Sequence, residues 1–152
     1  MPSRAAIDRF LALSDIALVG ASRDPKDFSH AVAKQLRDGG RTVHLVNPEA
    51  DEIDGTPCYR DLADVPGPLE GVLVMVPPDA AADVARAAVE RGLRSVWLHR
   101  GIGTGSVSDD AIAVCGEAGI DVVDGACPLM FAEPVAWFHR THHFFARRRF
   151  AA

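Results

Sequence analysis

The sequence predicts a three-layer α/β fold with a doubly wound, mainly parallel sheet. Its strands are continuous apolar runs, which is typical of strands that helices cover on both faces. Amphipathic helical segments separate successive strands, as parallel connections require. The 152 residues are 48% hydrophobic and 24% charged, which is sufficient for the core of one domain and short for two. We therefore expect a single domain over residues 1–152.

Five segments are predicted to be helices because each has an amphipathic pattern. Glycines follow three of them, at Gly39-Gly40, Gly92 and Gly119, and mark their C-terminal ends. In chain order the predicted helices are Ile7–Leu13, Ser29–Arg37, Asp79–Arg91, Ser108–Ala118 and a C-terminal tail at Pro134–Phe145. Ser106 or Ser108 is expected to cap the fourth helix.

Five apolar runs between these helices are predicted to be strands. In chain order they are Ile16–Val19, Thr42–Val46, Gly71–Val76, Ser95–Leu98 and Ile120–Val123. The stretch from Asn47 to Pro68 is rich in Asp, Gly and Pro and is predicted to be irregular.

Composition excludes several classes of function. The chain carries 16 basic and 21 acidic residues, a formal charge of -5, which argues against general nucleic-acid binding. No apolar run reaches the roughly 18 residues of a membrane span, and the N-terminus lacks the apolar core of a secretory signal. Cys58, Cys115 and Cys127 show no C-x-x-C spacing and predict neither a disulfide framework nor a zinc site. We expect a cytoplasmic protein without a membrane or nucleic-acid partner.

In a doubly wound sheet, ligands bind over the carboxyl ends of the strands, where the strand order reverses. The first of these strand ends leads into a helix, and we expect its free backbone N–H groups to point at a phosphate. We also expect the five loops at the strand ends to form one crevice. The loops are Gly20-Ala21-Ser22-Arg23, Asn47-Pro48-Glu49, Pro77-Pro78, His99-Arg100-Gly101 and Gly125-Ala126-Cys127-Pro128.

The residues of this crevice do not match an ordinary NAD site. The first loop keeps only one glycine of G-x-G-x-x-G and has Ser22 and Asp24 where small residues are needed. Asn47-Pro48 stands where a carboxylate usually binds the ribose, although Glu49 lies close by. Pro48 and Pro77-Pro78 offer flat apolar surfaces for an adenine ring, and they equally suit strand ends and stiff turns.

Five motifs in this order resemble those of the small stand-alone CoA-binding proteins, whose fold is similar to the CoA-binding domain of the succinyl-CoA synthetase alpha subunit. The motifs are V-G-A-S-x-x-P at Val19–Pro25, V-N-P at Val46–Pro48, V-P-P at Val76–Pro78, W-L-x-x-G at Trp97–Gly101 and C-P at Cys127-Pro128. The resemblance spans about residues 16–128. It implies a Rossmann-like fold that binds coenzyme A or an acyl-CoA.

The resemblance also implies roles for individual residues. Gly20 to Arg23 would hold the CoA phosphates, Asn47 and Pro48 would flank the adenosine, Pro77 and Pro78 would form the opposite wall, and His99, Arg100 and Gly101 would line the pantetheine path. Arg23 and Lys26 flank the first turn and are the expected phosphate-binding cations. An ion pair of Arg23 with Asp24 or Asp27 is the alternative. His30, near the start of the next helix, is expected to cap or pack.

No catalytic residue or metal site is predicted. Ser22 has no evident His-Asp pair to activate it, and His139 and His143 have metal-ligand spacing but only Glu133 close to them. Cys127 follows the strand end that would face the thiol end of CoA, and it is expected to be a buried, small apolar side chain before a proline. The alternative is an activated thiol, whose pKa a nearby helix N-terminus would lower, so that it forms a mixed disulfide with CoA.

The sequence therefore favours a protein that binds CoA or an acyl-CoA without catalysis, as a carrier, a sensor or a partner of another enzyme. A homodimer through the aromatic C-terminal segment is an open question. Two other functions remain as alternatives. One is an NAD(P)-dependent oxidoreductase or a thiol-redox protein that uses Cys127. The other is a regulatory or structural partner whose ligand site has decayed.

Overall fold

The computed structural model describes residues 2–101, 103 and 105–131. The helices are α1 Arg4–Leu11, α2 Phe28–Asp38, α3 Pro78–Arg91 and α4 Asp109–Ala118, with short 3-10 helices at Leu62–Asp64 and Pro128–Met130. The strands are β1 Asp15–Val19, β2 Thr42–Val46, β3 Glu52–Ile53, β4 Thr56–Tyr59, β5 Gly71–Val74, β6 Ser95–Leu98 and β7 Asp121–Asp124. The predicted C-terminal helix, Pro134–Phe145, lies outside the described residues.

The strands form one sheet in the order β3-β4-β2-β1-β5-β6-β7. In this order, every pair of neighbouring strands from β4 to β7 is parallel. The predicted α/β class with a mainly parallel sheet is therefore confirmed. The chain runs outward from β1 through β2 to β4, then crosses to the other side of β1 and runs outward again from β5 to β7. The strand order therefore reverses between β1 and β5, and this is the switch point where such folds bind ligands.

Helices cover both faces of the sheet. Side chains of α1 and α2, among them Phe10, Val32 and Leu36, pack on one face together with Trp97 of β6. Small residues of α3, Ala81, Ala85 and Ala88, pack on the other face with α4. Because the sheet lies between these two apolar layers, its central strands are buried throughout. No helix in the described part of the chain is long and apolar enough to cross a membrane.

The prediction that residues 47–68 are irregular was wrong, because a β-hairpin lies within them. β3 and β4 pair in antiparallel fashion, with Glu52 opposite Pro57. The turn is Asp54-Gly55, whose φ angles are 50° and 77°. An Asp-Gly pair is a known signal for a two-residue hairpin turn. The flanking strands are too short for an alternating pattern to show in the sequence.

The ends of the elements follow local hydrogen bonding. α1 begins at Arg4, earlier than predicted, because the Ser3 side chain accepts a bond from the Ala6 amide. The predicted glycine stops are confirmed for α3 and α4, since Gly92 and Gly119 adopt left-handed φ angles of 72° and 71°. β5 ends at Val74 and not at Val76 as predicted, so two further residues join the loop at the switch point.

Arg91, the last residue of α3, holds the segment 61–67 against this helix through hydrogen bonds. Its Nη1 donates to the carbonyls of Leu62 and Ala63 at 3.0 and 3.3 Å, and its Nη2 to those of Val65 and Gly67 at 2.6 and 3.1 Å. We expect Arg91→Ala to lower the free energy of unfolding by about 2 kcal/mol, because these carbonyls lose their donor. Urea denaturation measures this change. Arg91→Lys should recover only part of the loss, and an unchanged stability in Arg91→Ala would contradict the role.

Candidate functional site

The loops that follow β1, β2, β5, β6 and β7 meet at the carboxyl edge of the sheet. Backbone hydrogen bonds join them in pairs: the Gly20 amide donates to Val46 at 3.1 Å, the His99 amide to Val74 at 3.0 Å, and the Arg100 amide to Ala126 at 3.0 Å. The structure thus brings the predicted loops together around the switch point. Their contact with a ligand stays a prediction.

Gly20 brings the β1 loop close to the end of β5. Its φ angle is 104°, and a Cβ atom at this position would lie 2.6 Å from the carbonyl oxygen of Met75. A real Cβ does not tolerate that distance, so glycine is required here both by the backbone angle and by the neighbouring strand. The β1 loop and the residues that follow β5 are therefore in direct contact at the switch point.

Most backbone N–H groups of the β1 loop itself already donate within the protein. The amides of Gly20 and Ala21 donate to Val46, and the amide of Ser22 donates to the buried Ser29 hydroxyl at 3.1 Å. From Gly20 to Asp27, the Arg23 amide is the one N–H group without an acceptor among the described residues. An anion at this loop would therefore depend on that amide and on side chains.

Arg23 and Lys26 are the cations available at this loop. Arg23 pairs with Glu49, not with Asp24 or Asp27, and the distance from its Nη2 to the Glu49 Oε2 is 3.9 Å. Both side chains are exposed, at 63% and 78%, so the pair is weak and open to a competing anion. Lys26 is exposed and forms no ion pair with a described residue. Asp27 caps α2 by accepting a bond from the Ser29 amide.

The Asn47 side chain connects the loops after β1 and β2 through hydrogen bonds. Its Nδ2 donates to the carbonyl of Ala21 at 2.8 Å, and its Oδ1 accepts a bond from the Glu49 amide at 2.8 Å. The side chain therefore holds both loops in place, which explains why an amide stands where a dinucleotide site has a carboxylate. Pro48 lies next to it and is exposed.

Pro77 and Pro78 begin α3 at the other side of the switch point. Pro78 is the first helical residue, one position earlier than predicted, where a missing N–H costs nothing. The carbonyl of Val76, the residue before Pro77, accepts a bond from the buried Ser106 hydroxyl at 2.5 Å. Ser106 thus links the residues before α4 to the segment that follows β5. Ser108 is the serine that caps α4, because its side chain accepts a bond from the Ala111 amide at 3.2 Å.

His99 follows β6 and lies partly buried between the loops. Burial lowers its pKa, so the ring is neutral at pH 7. Its Nε2 is buried and has no hydrogen-bond partner among the described residues. The ring lies 5.9 Å from the ring of Phe28, centroid to centroid. Arg100 is exposed, and its Nε donates to the Gly103 carbonyl at 2.9 Å.

Sequence reasoning missed Phe28 as a site residue. It is the first residue of α2, and 47% of it is exposed. The available signal was a large apolar residue directly before the predicted helix start at Ser29 and directly after the acidic Asp27. Gly101 lies beside the His99 ring, because a Cβ there would lie 3.6 Å from the His99 Cε1.

The structure argues against the alternative of an activated Cys127 thiol. Burial raises the pKa of its thiol, and a backbone hydrogen bond from Leu129 lowers it by less. The 3-10 helix that follows has only three residues, Pro128–Met130, and offers little helix dipole. The thiol is therefore protonated at neutral pH. This argues against the thiol-redox alternative.

His30 packs and also clamps the β1 loop. Its Nε2 lies 2.7 Å from the Ser22 carbonyl oxygen and its Nδ1 lies 3.3 Å from the Asp54 carboxylate of the hairpin turn. A cavity of about 340 Å³ lies beside this clamp, between α2 and the hairpin, and Arg37 and Ile53 are among its lining residues. Its charged groups are already paired, for example Arg37 with the Val43 carbonyl.

Other predictions fall outside the described residues. His139, His143 and Glu133 belong to this group, as does the aromatic segment considered for a dimer. Within the part of the chain that the structure describes, no group of three or more His, Cys, Asp or Glu side chains is placed to hold a metal ion.

Comparison with known proteins gives three informative relatives and a family. A family model described as the CoA binding domain matches residues 14–133. Uncharacterized protein YneT of Bacillus subtilis is 32% identical over 127 residues, 83% of this chain and 91% of that protein. A solved structure of a hypothetical protein from Pyrococcus horikoshii matches with a TM-score of 0.77 and 29% identity, over 84% of this chain and 88% of that one.

The third relative is the alpha subunit of ADP-forming acetate-CoA ligase II of Pyrococcus furiosus. It is 30% identical over 94 residues, which are 60% of this chain and 20% of that subunit. The chain therefore spans about a fifth of the ligase subunit, whereas it spans most of the other two relatives.

Proposed function

This chain belongs to the CoA binding domain family, and from that premise we propose that it binds coenzyme A or an acyl-CoA without catalysing a reaction of its own. The observation that carries the proposal is the extent of the family match, residues 14–133. That range contains every loop of the crevice at the switch point. A ligand there lies where doubly wound sheets bind nucleotides.

The geometry supports one orientation of the ligand. The phosphates would lie against the free Arg23 amide and the side chains of Arg23 and Lys26, because the other amides of that loop are already bonded. The adenosine would lie between Pro48 and the wall made by Pro77 and Pro78. The pantetheine would pass His99, Arg100 and Gly101 toward Cys127.

Two observations support binding without catalysis. The Ser22 hydroxyl accepts a bond from the Asp24 amide at 3.1 Å, and the nearby His30 ring contacts the Ser22 carbonyl and not this hydroxyl. The Cys127 thiol has a raised pKa. Neither group is activated as a nucleophile. We infer a role in the cytoplasm as a carrier, a sensor or the CoA-binding partner of another enzyme. The partner role agrees with a match that covers only a fifth of a ligase subunit.

Calorimetric titration with CoA, NAD and NADP, side by side, tests the proposal. We expect saturable binding of CoA and none of the nicotinamide nucleotides. Arg23→Ala should weaken CoA binding by about tenfold or more, because a charge-assisted hydrogen bond to phosphate is lost. Glu49→Gln should strengthen it about threefold, since its carboxylate competes for Arg23 and repels the phosphates.

Arg86→Ala is the matched control. Arg86 lies on α3, pairs with Asp83 at 2.9 Å and is 57% exposed, close to the exposure of Arg23, so its loss should leave CoA binding unchanged. Binding of NAD or NADP in place of CoA would favour the oxidoreductase alternative. No binding of any of the three would favour a decayed site. If Arg23→Ala binds CoA with the same affinity as the wild type, the phosphates do not bind at this loop.

A further inference from the structure

Two large apolar side chains remain exposed among the described residues, Phe28 at 47% and Met130 at 70%. Both adjoin the end of the crevice that the pantetheine would reach. The Phe28 ring lies against the His99 ring, and the Met130 amide donates to the Cys127 carbonyl at 3.1 Å. The 3-10 helix that carries Met130 also lies against α2. Exposed apolar surface at the mouth of a site indicates a ligand or partner that covers it.

At the same place, His99 has a buried ring nitrogen without a hydrogen-bond partner among the described residues. This nitrogen is Nε2, and a buried polar atom without a hydrogen bond is unfavourable. The tautomer with a proton on Nε2 can donate to a carbonyl oxygen. An incoming group that offers both a carbonyl and an apolar chain would satisfy His99 and cover Phe28 and Met130 together.

We propose that Phe28, His99, Cys127 and Met130 form an acyl end of the site, which binds the acyl group of a CoA thioester with an unbranched apolar chain in preference to free CoA. This inference rests on the proposed function and names its ligand class. The thioester carbonyl accepts a bond from His99, and the chain lies on Phe28 and the flexible Met130 side chain, which adapts to its length.

The charges of this region favour an apolar acyl group. None of the four side chains is a carboxylate or a fixed cation. The Cys127 thiol is neutral because burial raises its pKa. Arg100 is the nearest cation in sequence, but it is exposed and its Nε donates to the Gly103 carbonyl. Lys26, two residues before Phe28, is exposed, and the proposed function assigns it to the phosphates. A dicarboxylic acyl group would therefore place a charge on this apolar surface with no cation left to pair with it.

Calorimetric titration with CoA, acetyl-CoA, hexanoyl-CoA and succinyl-CoA tests the acyl end. We expect hexanoyl-CoA to bind about tenfold more tightly than CoA, because several methylene groups leave water. Succinyl-CoA should bind no more tightly than acetyl-CoA. Phe28→Ser and, separately, Met130→Ser should reduce the ratio of hexanoyl-CoA to CoA affinity to about twofold. Acetyl-CoA should bind more tightly than CoA because its carbonyl accepts a bond from His99, and His99→Leu should remove this advantage.

Ala31→Ser is the control, because Ala31 is an exposed residue of α2 outside the acyl end and should keep the tenfold ratio. Circular dichroism of each variant verifies the fold. Equal affinities of the wild type for hexanoyl-CoA and CoA would overturn the acyl end and leave CoA binding intact. So would a hexanoyl preference that survives both serine variants. If neither CoA nor any thioester binds, the proposed function fails as well.

Discussion

Replacing Gly20 with alanine is expected to destabilise the protein by about 3 kcal/mol and to abolish binding of CoA. The φ angle of 104° is unfavourable for any L residue with a side chain, which costs about 1–2 kcal/mol. The added Cβ would also lie 2.6 Å from the Met75 carbonyl oxygen. Separating these atoms must move the β1 loop or the end of β5, at a further cost of about 1–3 kcal/mol. Either movement deforms the crevice at the switch point.

Gly40→Ala separates the two contributions. Gly40 has a similar φ angle of 90°, but nothing lies within 4 Å of the position that a Cβ would take there. This variant should therefore lose only the conformational part, about 1–2 kcal/mol, and should bind CoA normally. Urea denaturation and titration with CoA provide the two readouts. If the two variants lose equal stability, the contact with β5 does not constrain the loop.

Replacing Trp97 with alanine is expected to lower the free energy of unfolding by about 3–5 kcal/mol. Trp97 is fully buried in β6, and its ring meets the Phe10 ring edge-on at 5.2 Å. Its Nε1 donates to the Ala126 carbonyl at 3.1 Å, the same oxygen that accepts from the Arg100 amide. Ala126 has a φ angle of 64°, which is unusual for alanine. The indole helps to hold this strained carbonyl in place.

Trp97→Phe isolates that hydrogen bond from the volume of the ring. Phenylalanine fills most of the space and keeps the contact with Phe10, so we expect a loss of about 1–2 kcal/mol. Chemical denaturation of both variants measures the difference. A smaller loss in Trp97→Ala than in Trp97→Phe would contradict the packing role. Leu36→Ala, at another fully buried position of the same core, gives a comparison for the cost of a cavity.

The alternation of helices and strands could be predicted from the sequence, because the spacing of apolar residues reflects which side chains are buried. β2, Thr42–Val46, and β6, Ser95–Leu98, lie where their apolar runs predict them. The hairpin at β3 and β4 escaped prediction since its pattern is too short for periodicity. β7 runs from Asp121 to Asp124, one residue later than predicted, because its pairing with β6 outweighs the apolar Ile120.

The candidate site was less predictable, because its contacts depend on tertiary structure. The loops at the strand ends follow from topology, and the structure gathers them as expected. Sequence could not show that the Ser22 amide is taken by Ser29, nor that Arg23 meets Glu49 from another loop. Sequence also could not decide between a buried and an activated Cys127, because the burial that raises its pKa is invisible in a local motif.

The two outer strands of the sheet determine how copies of this protein meet in concentrated solution. β3 has only two residues, one of them Glu52, and β7 has aspartates at both ends, with Asp121 held by Arg9 of α1. Strand-to-strand joining of two molecules would bring acidic side chains together along a short ladder, which is unfavourable. Among the described residues, growth of the sheet from one molecule to the next is therefore disfavoured at both sides. We expect self-association to proceed through helices or loops.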